Sequence, residues 1–150
     1  MRVFKNLAEL TSCVGEELGV SEWHEITQEQ VNLFAEATGD HQWIHVDPEK
    51  AAAGPFGRTI AHGYLTVSLI PMLAAETYKV ESVKMGVNYG SDKVRFPAPL
   101  PVGSKVRGRA RLVEVVPVAL GQRVSVEFTI EAEGIDKPVC VARTLAIFAE

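Results

Sequence analysis

His62-Gly63-Tyr64-Leu65-Thr66-Val67-Ser68-Leu69-Ile70-Pro71-Met72-Leu73-Ala74-Ala75-Glu76-Thr77-Tyr78 is the stretch on which the fold turns. Tyr64, Leu65, Val67, Leu69, Ile70, Met72, Leu73 and Ala74 carry apolar character around most of a helical circumference, the pattern of a helix buried on nearly all sides. Pro71 cannot donate to the carbonyl of Val67, so a kink or break is expected near its middle.

Little else in the chain is helical enough to bury such a helix. Thr27-Gln28-Glu29-Gln30 is a capping box, with Ile26 and Val31 at the staple positions and Gly39 as the left-handed stop, so Asp40 falls just past a helix end. Asp47 as cap, Pro48 at the first helical position and Gly54 as stop predict a second, short helix. His41 to Val46 is expected to be the loop between them. The second half reads as strands. Met85-Val87-Tyr89 and Val124-Val126-Phe128-Ile130 alternate, Val94-Arg95-Phe96 is short, Val139 to Phe148 is apolar at nearly every position, and Val20 to Ile26 alternates weakly. The expected class is α+β: an antiparallel sheet curved around one long central helix.

A chain of 150 residues can hide roughly 68–70% of its unfolded surface, enough for one core, and residues 1–150 are expected to form a single domain. A composition of 47% hydrophobic and 23% charged residues excludes a disordered or low-complexity chain. A net charge of −4 argues against a general nucleic-acid binder, because neutralising phosphates needs a cationic surface. Cys13 and Cys140 are too few for a disulfide framework, and the first residues carry no apolar signal core. A cytoplasmic protein with no membrane span is expected.

Asp40-His41-Gln42-Trp43-Ile44-His45-Val46-Asp47 is the densest set of titratable groups. Three readings compete for it. A solvated loop suits Asp47, which already serves as a cap. A metal site would use His41 and His45, but a four-residue spacing converges only on a helix. An acid/base pair would use Asp40 and His45, kept partly dry by Trp43 and Ile44. Gly57 to Gly63 leads into the buried helix with no acid in its first turn, so its free amides can face an anion, or Gly63 merely lets the helix cross under the sheet. Lys93, Arg95, Lys105, Arg107, Arg109 and Arg111 are six of 15 cationic residues, with no acid between 93 and 111. The last four share one strand face, usually the solvated one, which leaves Lys93 and Arg95 beside Asn88-Tyr89-Gly90 as the better phosphate holders.

Phe34, Thr38-Gly39-Asp40, His45-Val46-Asp47 and Arg58-Thr59-Ile60-Ala61-His62-Gly63 together resemble the hydratase motif and helix entry of the MaoC-like, (R)-specific enoyl-CoA hydratases. Asn88-Tyr89-Gly90 through Lys93-Val94-Arg95-Phe96-Pro97-Ala98-Pro99 is similar to the segment that follows the central helix in single-domain members. The resemblance implies a hot-dog fold, a homodimer, and reversible hydration of trans-2-enoyl-CoA to (R)-3-hydroxyacyl-CoA without metal or redox cofactor. It assigns Asp40 and His45 as catalytic residues that hold and activate water. His62, Gly63, Asn88, Lys93 and Arg95 are the implied substrate-binding positions, with Arg58 a further candidate for the CoA phosphates. The sequence departs from the family where Gln42-Trp43 replaces the usual Asn-Pro; Trp43 fills the space of the proline or reshapes the acyl pocket. A hot-dog thioesterase and a non-catalytic acyl-CoA-binding partner are the other functional classes.

Overall fold

The elements run in the order β1 (Arg2–Phe4), α1 (Leu7–Thr11), β2 (Glu17–Val20), β3 (His24–Glu25), α2 (Gln28–Thr38), α3 (Trp43–Val46), α4 (Pro48–Ala52), α5 (Gly63–Ser68), α6 (Ile70–Thr77), β4 (Tyr78–Val80), β5 (Met85–Arg95), β6 (Lys105–Val118), β7 (Gly121–Ala132) and β8 (Cys140–Ala149). They are taken from a computed structural model that describes residues 1–150.

The central stretch breaks in two at Leu69, whose N–H turns back to the Thr66 carbonyl at 3.2 Å. Pro71 then lies in the first turn of α6, where a backbone N–H would have no partner within that helix in any case. Leu65, Thr66, Leu69, Ile70, Leu73 and Thr77 turn inward and are buried. The fit against the sheet is close: a Cβ on Gly108 of β6 would lie 3.0 Å from the Leu73 Cβ. Burial on nearly all sides is not what the chain achieves, because Tyr64 is 78% and Met72 41% exposed. A single curved sheet has one concave face and covers one side of the helix. The remaining stripe, Tyr64, Ser68, Met72 and Ala75, follows helical spacing and lies open.

The main sheet has the order β2-β6-β7-β8-β5, antiparallel throughout, with β3 also paired to β6. Val106, Ala110 and Leu112 on β6 and Val124, Val126, Phe128 and Ile130 on β7 supply its inner face. The two strands expected around Tyr89 and Val94 are one, β5, with irregular register at Asn88/Gly90 and Ser91/Lys93; Gly90 has φ +139°. β5 is an edge strand, exposed along nearly its whole length. A separate parallel pair, β1–β4, was outside the antiparallel expectation, because it joins segments far apart in sequence.

In the cationic stripe of β6, Arg107 and Arg109 are ion-paired and Arg111 donates to the Gly15 carbonyl at 3.1 Å. Glu131 of β7 accepts from Arg107 Nε at 2.8 Å and Arg109 Nε at 3.2 Å, and Glu17 accepts from Arg109 at 2.7 Å. Both cysteines are free and buried. No helix is long and apolar enough to cross a membrane.

Candidate active site

Helix α2 begins as its sequence dictates, with the Thr27 hydroxyl accepting the Gln30 N–H at 3.2 Å. It ends on Gly39 at φ +81°, whose N–H reaches the Ala35 carbonyl at 2.8 Å. The chain leaves the helix sideways and presents Asp40 to solvent. Its Oδ1 accepts the Gln42 N–H at 3.3 Å.

The expected loop from His41 to Val46 contains a single helical turn, α3, closed by His45 N–H to Gln42 O and Asp47 N–H to Trp43 O. That turn carries the His45 ring inward, where it is 7% exposed. Ile60 locks it from both sides. The Ile60 N–H donates to the Ile44 carbonyl at 3.0 Å, and His45 Nδ1–H donates to the Ile60 carbonyl at 2.7 Å. A carbonyl can only accept, so the proton is fixed on Nδ1 and the Nε2 lone pair is free. Burial, and after it the neighbouring His62, holds the His45 pKa below the ordinary imidazole value, against the Ile60 bond and the Asp40 charge. The neutral ring is therefore the resting form near pH 7.

Sequence reasoning missed the support beneath this turn. Gln28 Nε2–H donates to the His45 carbonyl at 2.8 Å, and its Oε1 accepts from the buried Thr59 hydroxyl at 2.6 Å. A glutamine in the first turn after a cap carries no sequence signal that sets it apart from a surface residue. Trp43 turns away from the site: a Cβ on Gly54 would meet its ring at 3.0 Å, and Lys50 Nζ lies 4.8 Å above it. Trp43 thus wedges α3 against α4 and fills space, while the Gln42 backbone closes the start of the turn, its N–H on Asp40 Oδ1 and its carbonyl on the His45 N–H.

His62 caps α5 and is 2% exposed. Its Nε2–H donates to the Asp40 carbonyl at 2.9 Å, its ring stacks on His45 at 3.9 Å between centroids with 25° between planes, and Phe34 lies 4.9 Å away. Walled in on both sides, His62 does not have the open face that the expected substrate contact requires. An Asp40 carboxylate oxygen and one ring nitrogen from each histidine lie within 4.8 Å of one another. An imidazole binds a metal through a lone pair in its ring plane at about 2.0–2.1 Å. Two nearly parallel rings 3.9 Å apart cannot both aim at one ion that way. His41, the other residue of the four-residue spacing, instead faces Glu36 at 3.6 Å.

Gly63 opens α5 beside this cluster, and its N–H has no partner within the chain. The close approach that requires glycine is made by Phe96, since a Cβ would lie 2.9 to 3.1 Å from three of its ring carbons. Phe96 directly follows β5, which brings Arg95 to the same end of the molecule. Lys93, Arg95 and Arg58 are exposed and make no ion pair. Asn88 is not gathered in: its Oδ1 accepts the Gly90 N–H at 3.0 Å, and strand rise puts it about 25 Å back along β5 from Phe96.

A sheet curved around a buried helix, with a histidine and a carboxylate gathered beside the helix's amide end, is the architecture of the hot-dog class. The chain belongs to the MaoC-like dehydratase family, whose MaoC like domain matches residues 9–134. It is 56% identical over 146 residues to 3-hydroxyacyl-thioester dehydratase Z of Mycobacterium tuberculosis, covering 97% of each chain. Nodulation protein N of Rhizobium leguminosarum bv. viciae is 46% identical over 95% of this chain and 90% of its own. Among solved structures, the unliganded R-hydratase of Pseudomonas aeruginosa superposes with a TM-score of 0.79 at 24% identity, over 98% of this chain and 87% of that one. The (R)-hydratase from A. caviae gives 0.73 at 22%, over 89% and 95%. At those identities the likeness is one of fold. The family and these relatives make the protein a dehydratase or hydratase.

Proposed function

We propose that the protein is an (R)-specific enoyl-CoA hydratase that reversibly adds water across a trans-2-enoyl-CoA. The single observation that carries this reading is the free Nε2 of His45, protonated elsewhere on its ring and held near the Asp40 carboxylate. Water placed between them loses a proton to Nε2 as its oxygen attacks C3. The charge that builds on the thioester oxygen meets the unpaired Gly63 amide, and the His45 imidazolium then returns its proton to C2, so the enzyme neither gains nor loses a proton overall. No step needs a metal or redox cofactor.

Loss of the conjugated enoyl absorbance without release of free thiol is the expected result on short enoyl-CoAs. Thiol release would make the protein a thioesterase, and neither signal would make it a binding partner. Lys93 and Arg95 are the proposed contacts of the CoA phosphates. Lys93→Ala or Arg95→Ala raises KM for CoA thioesters by about threefold to tenfold and leaves pantetheine thioesters unchanged, since one exposed charge contact contributes about 0.2–1 kcal/mol or somewhat more against a phosphate. Equal effects on both substrates would reject that role.

The acting form is a homodimer. The exposed edge of β5 offers unpaired backbone groups, and the open stripe of α5 and α6 is apolar, two features a second copy would cover together. Light scattering is expected to give twice the chain mass; a single-chain mass overturns the assignment. Two buried free cysteines suit the reducing cytoplasm, where we place it.

A further inference from the structure

Asp40 follows a left-handed glycine and precedes a stretch without regular structure, so its own element does little to hold it. The bond that ties it to a distant part of the chain is the 2.9 Å contact from His62 Nε2–H to its carbonyl. The same His62 ring lies flat against His45 on one side and beside Phe34 on the other. Its backbone carbonyl is held by both the N–H and the hydroxyl of Thr66, at 3.0 and 3.1 Å, and the next peptide is that of Gly63.

We infer that His62 is the positioning residue of this site: one imidazole fixes the backbone of Asp40 through its edge and the ring of His45 through its face, and its chain position sets the Gly63 amide. This rests on the reading of Asp40 and His45 as the water-handling pair. A phenyl ring would stack on His45 but donate nothing to Asp40, and a glutamine would donate but not stack; histidine does both. His62 Nδ1 is buried with no partner, which leaves the Nε2–H bond to the Asp40 carbonyl as the one polar contact of the ring. The groups that face His45 are His62, the Asp40 carboxylate and the Ile60 carbonyl. Removing the imidazole of His62 removes a neighbour that disfavours charge on His45.

The test uses the full chain as wild type, His62→Phe and His62→Gln. In His62→Phe, kcat for enoyl-CoA hydration falls about 100-fold with KM within about threefold, the signature of misplaced acid/base groups. In His62→Gln, which keeps a donor for the Asp40 carbonyl, kcat recovers to within about tenfold of wild type. Histidine-ring NMR is expected to show the wild-type His62 proton on Nε2, and the His45 titration moving to higher pH in His62→Gln. A merely structural His62 would lower thermal stability in both variants and leave kcat per folded molecule and the His45 titration where they were. A His62 proton on Nδ1, an unmoved His45 titration, or a folded His62→Phe with kcat within threefold of wild type overturns the inference. If His62→Phe does not fold, the wild-type and His62→Gln measurements decide it alone. A wild type that hydrates no enoyl thioester refutes the underlying reading instead, and the NMR results are unaffected by that outcome.

Discussion

Asp40→Asn lowers the hydration rate by about 10²- to 10⁴-fold, the range a positioned acid/base group supplies, and leaves the melting temperature nearly where it was. Asparagine keeps the shape of the side chain and its oxygen still accepts the Gln42 N–H, while the charge is gone. Asp40 is exposed, and surface substitutions usually move stability by no more than about 0.5 kcal/mol. A 10²- to 10⁴-fold rate loss corresponds to about 2.7–5.5 kcal/mol of barrier, so unfolding cannot account for it. His45→Gln is expected to lose as much rate and more stability. It removes the Nε2 base and also the donor that satisfies the Ile60 carbonyl, a buried loss of about 1–3 kcal/mol. Its rate is therefore to be measured well below the melting range, on protein shown by circular dichroism to be folded. Parental hydration by purified Asp40→Asn would remove Asp40 from the chemistry and the assigned reaction with it.

The features legible in the sequence are those whose physical cause is local. Thr27 and Gly39 bracket α2 because cap chemistry acts over three or four residues, and Pro71 breaks the central helix because a missing N–H acts on its own turn. The inward residues of β7 alternate because a strand has period two. Local patterns are silent where the deciding contact is long-range. The turn α3 is a single turn with no side-chain cap, held by Ile60 and Gln28 from other parts of the chain, and so reads as a loop. Nothing near Asp40 announces a bond to a histidine 22 positions later. The motif around His62 suggests a residue beside the substrate, whereas the contacts that support a positioning role, with Phe34, His45 and the Asp40 carbonyl, are all long-range. The open stripe of the central helix is a different case. Apolar circumference reports that a helix wants cover on all sides, and it cannot report whether the same chain supplies all of it.

Gly63→Ala is expected to cost about tenfold to 100-fold in kcat with little loss of stability. The added methyl would stand 2.9 to 3.1 Å from three carbons of the Phe96 ring, closer than ordinary van der Waals contact, so one of the two must move. Phe96 is 44% exposed and has solvent to swing into, which holds the folding cost to about 1 kcal/mol. Catalysis has no such latitude. A preorganised amide donor contributes about 2.7–4 kcal/mol to an oxyanion-like transition state, and a displacement of a few tenths of an ångström in either the amide or the ring covering it erodes that contribution steeply. The double variant Gly63→Ala/Phe96→Ala separates the causes. If crowding against the ring is what shifts the amide, removing the ring restores much of kcat, and the two substitutions are strongly non-additive. If the double variant is slower than either single one by the product of their effects, Phe96 contributes independently and the crowding account fails. Wild-type kcat in Gly63→Ala itself would mean that the thioester oxygen is not stabilised at this helix end, and the acyl group would then have to be placed elsewhere around His45.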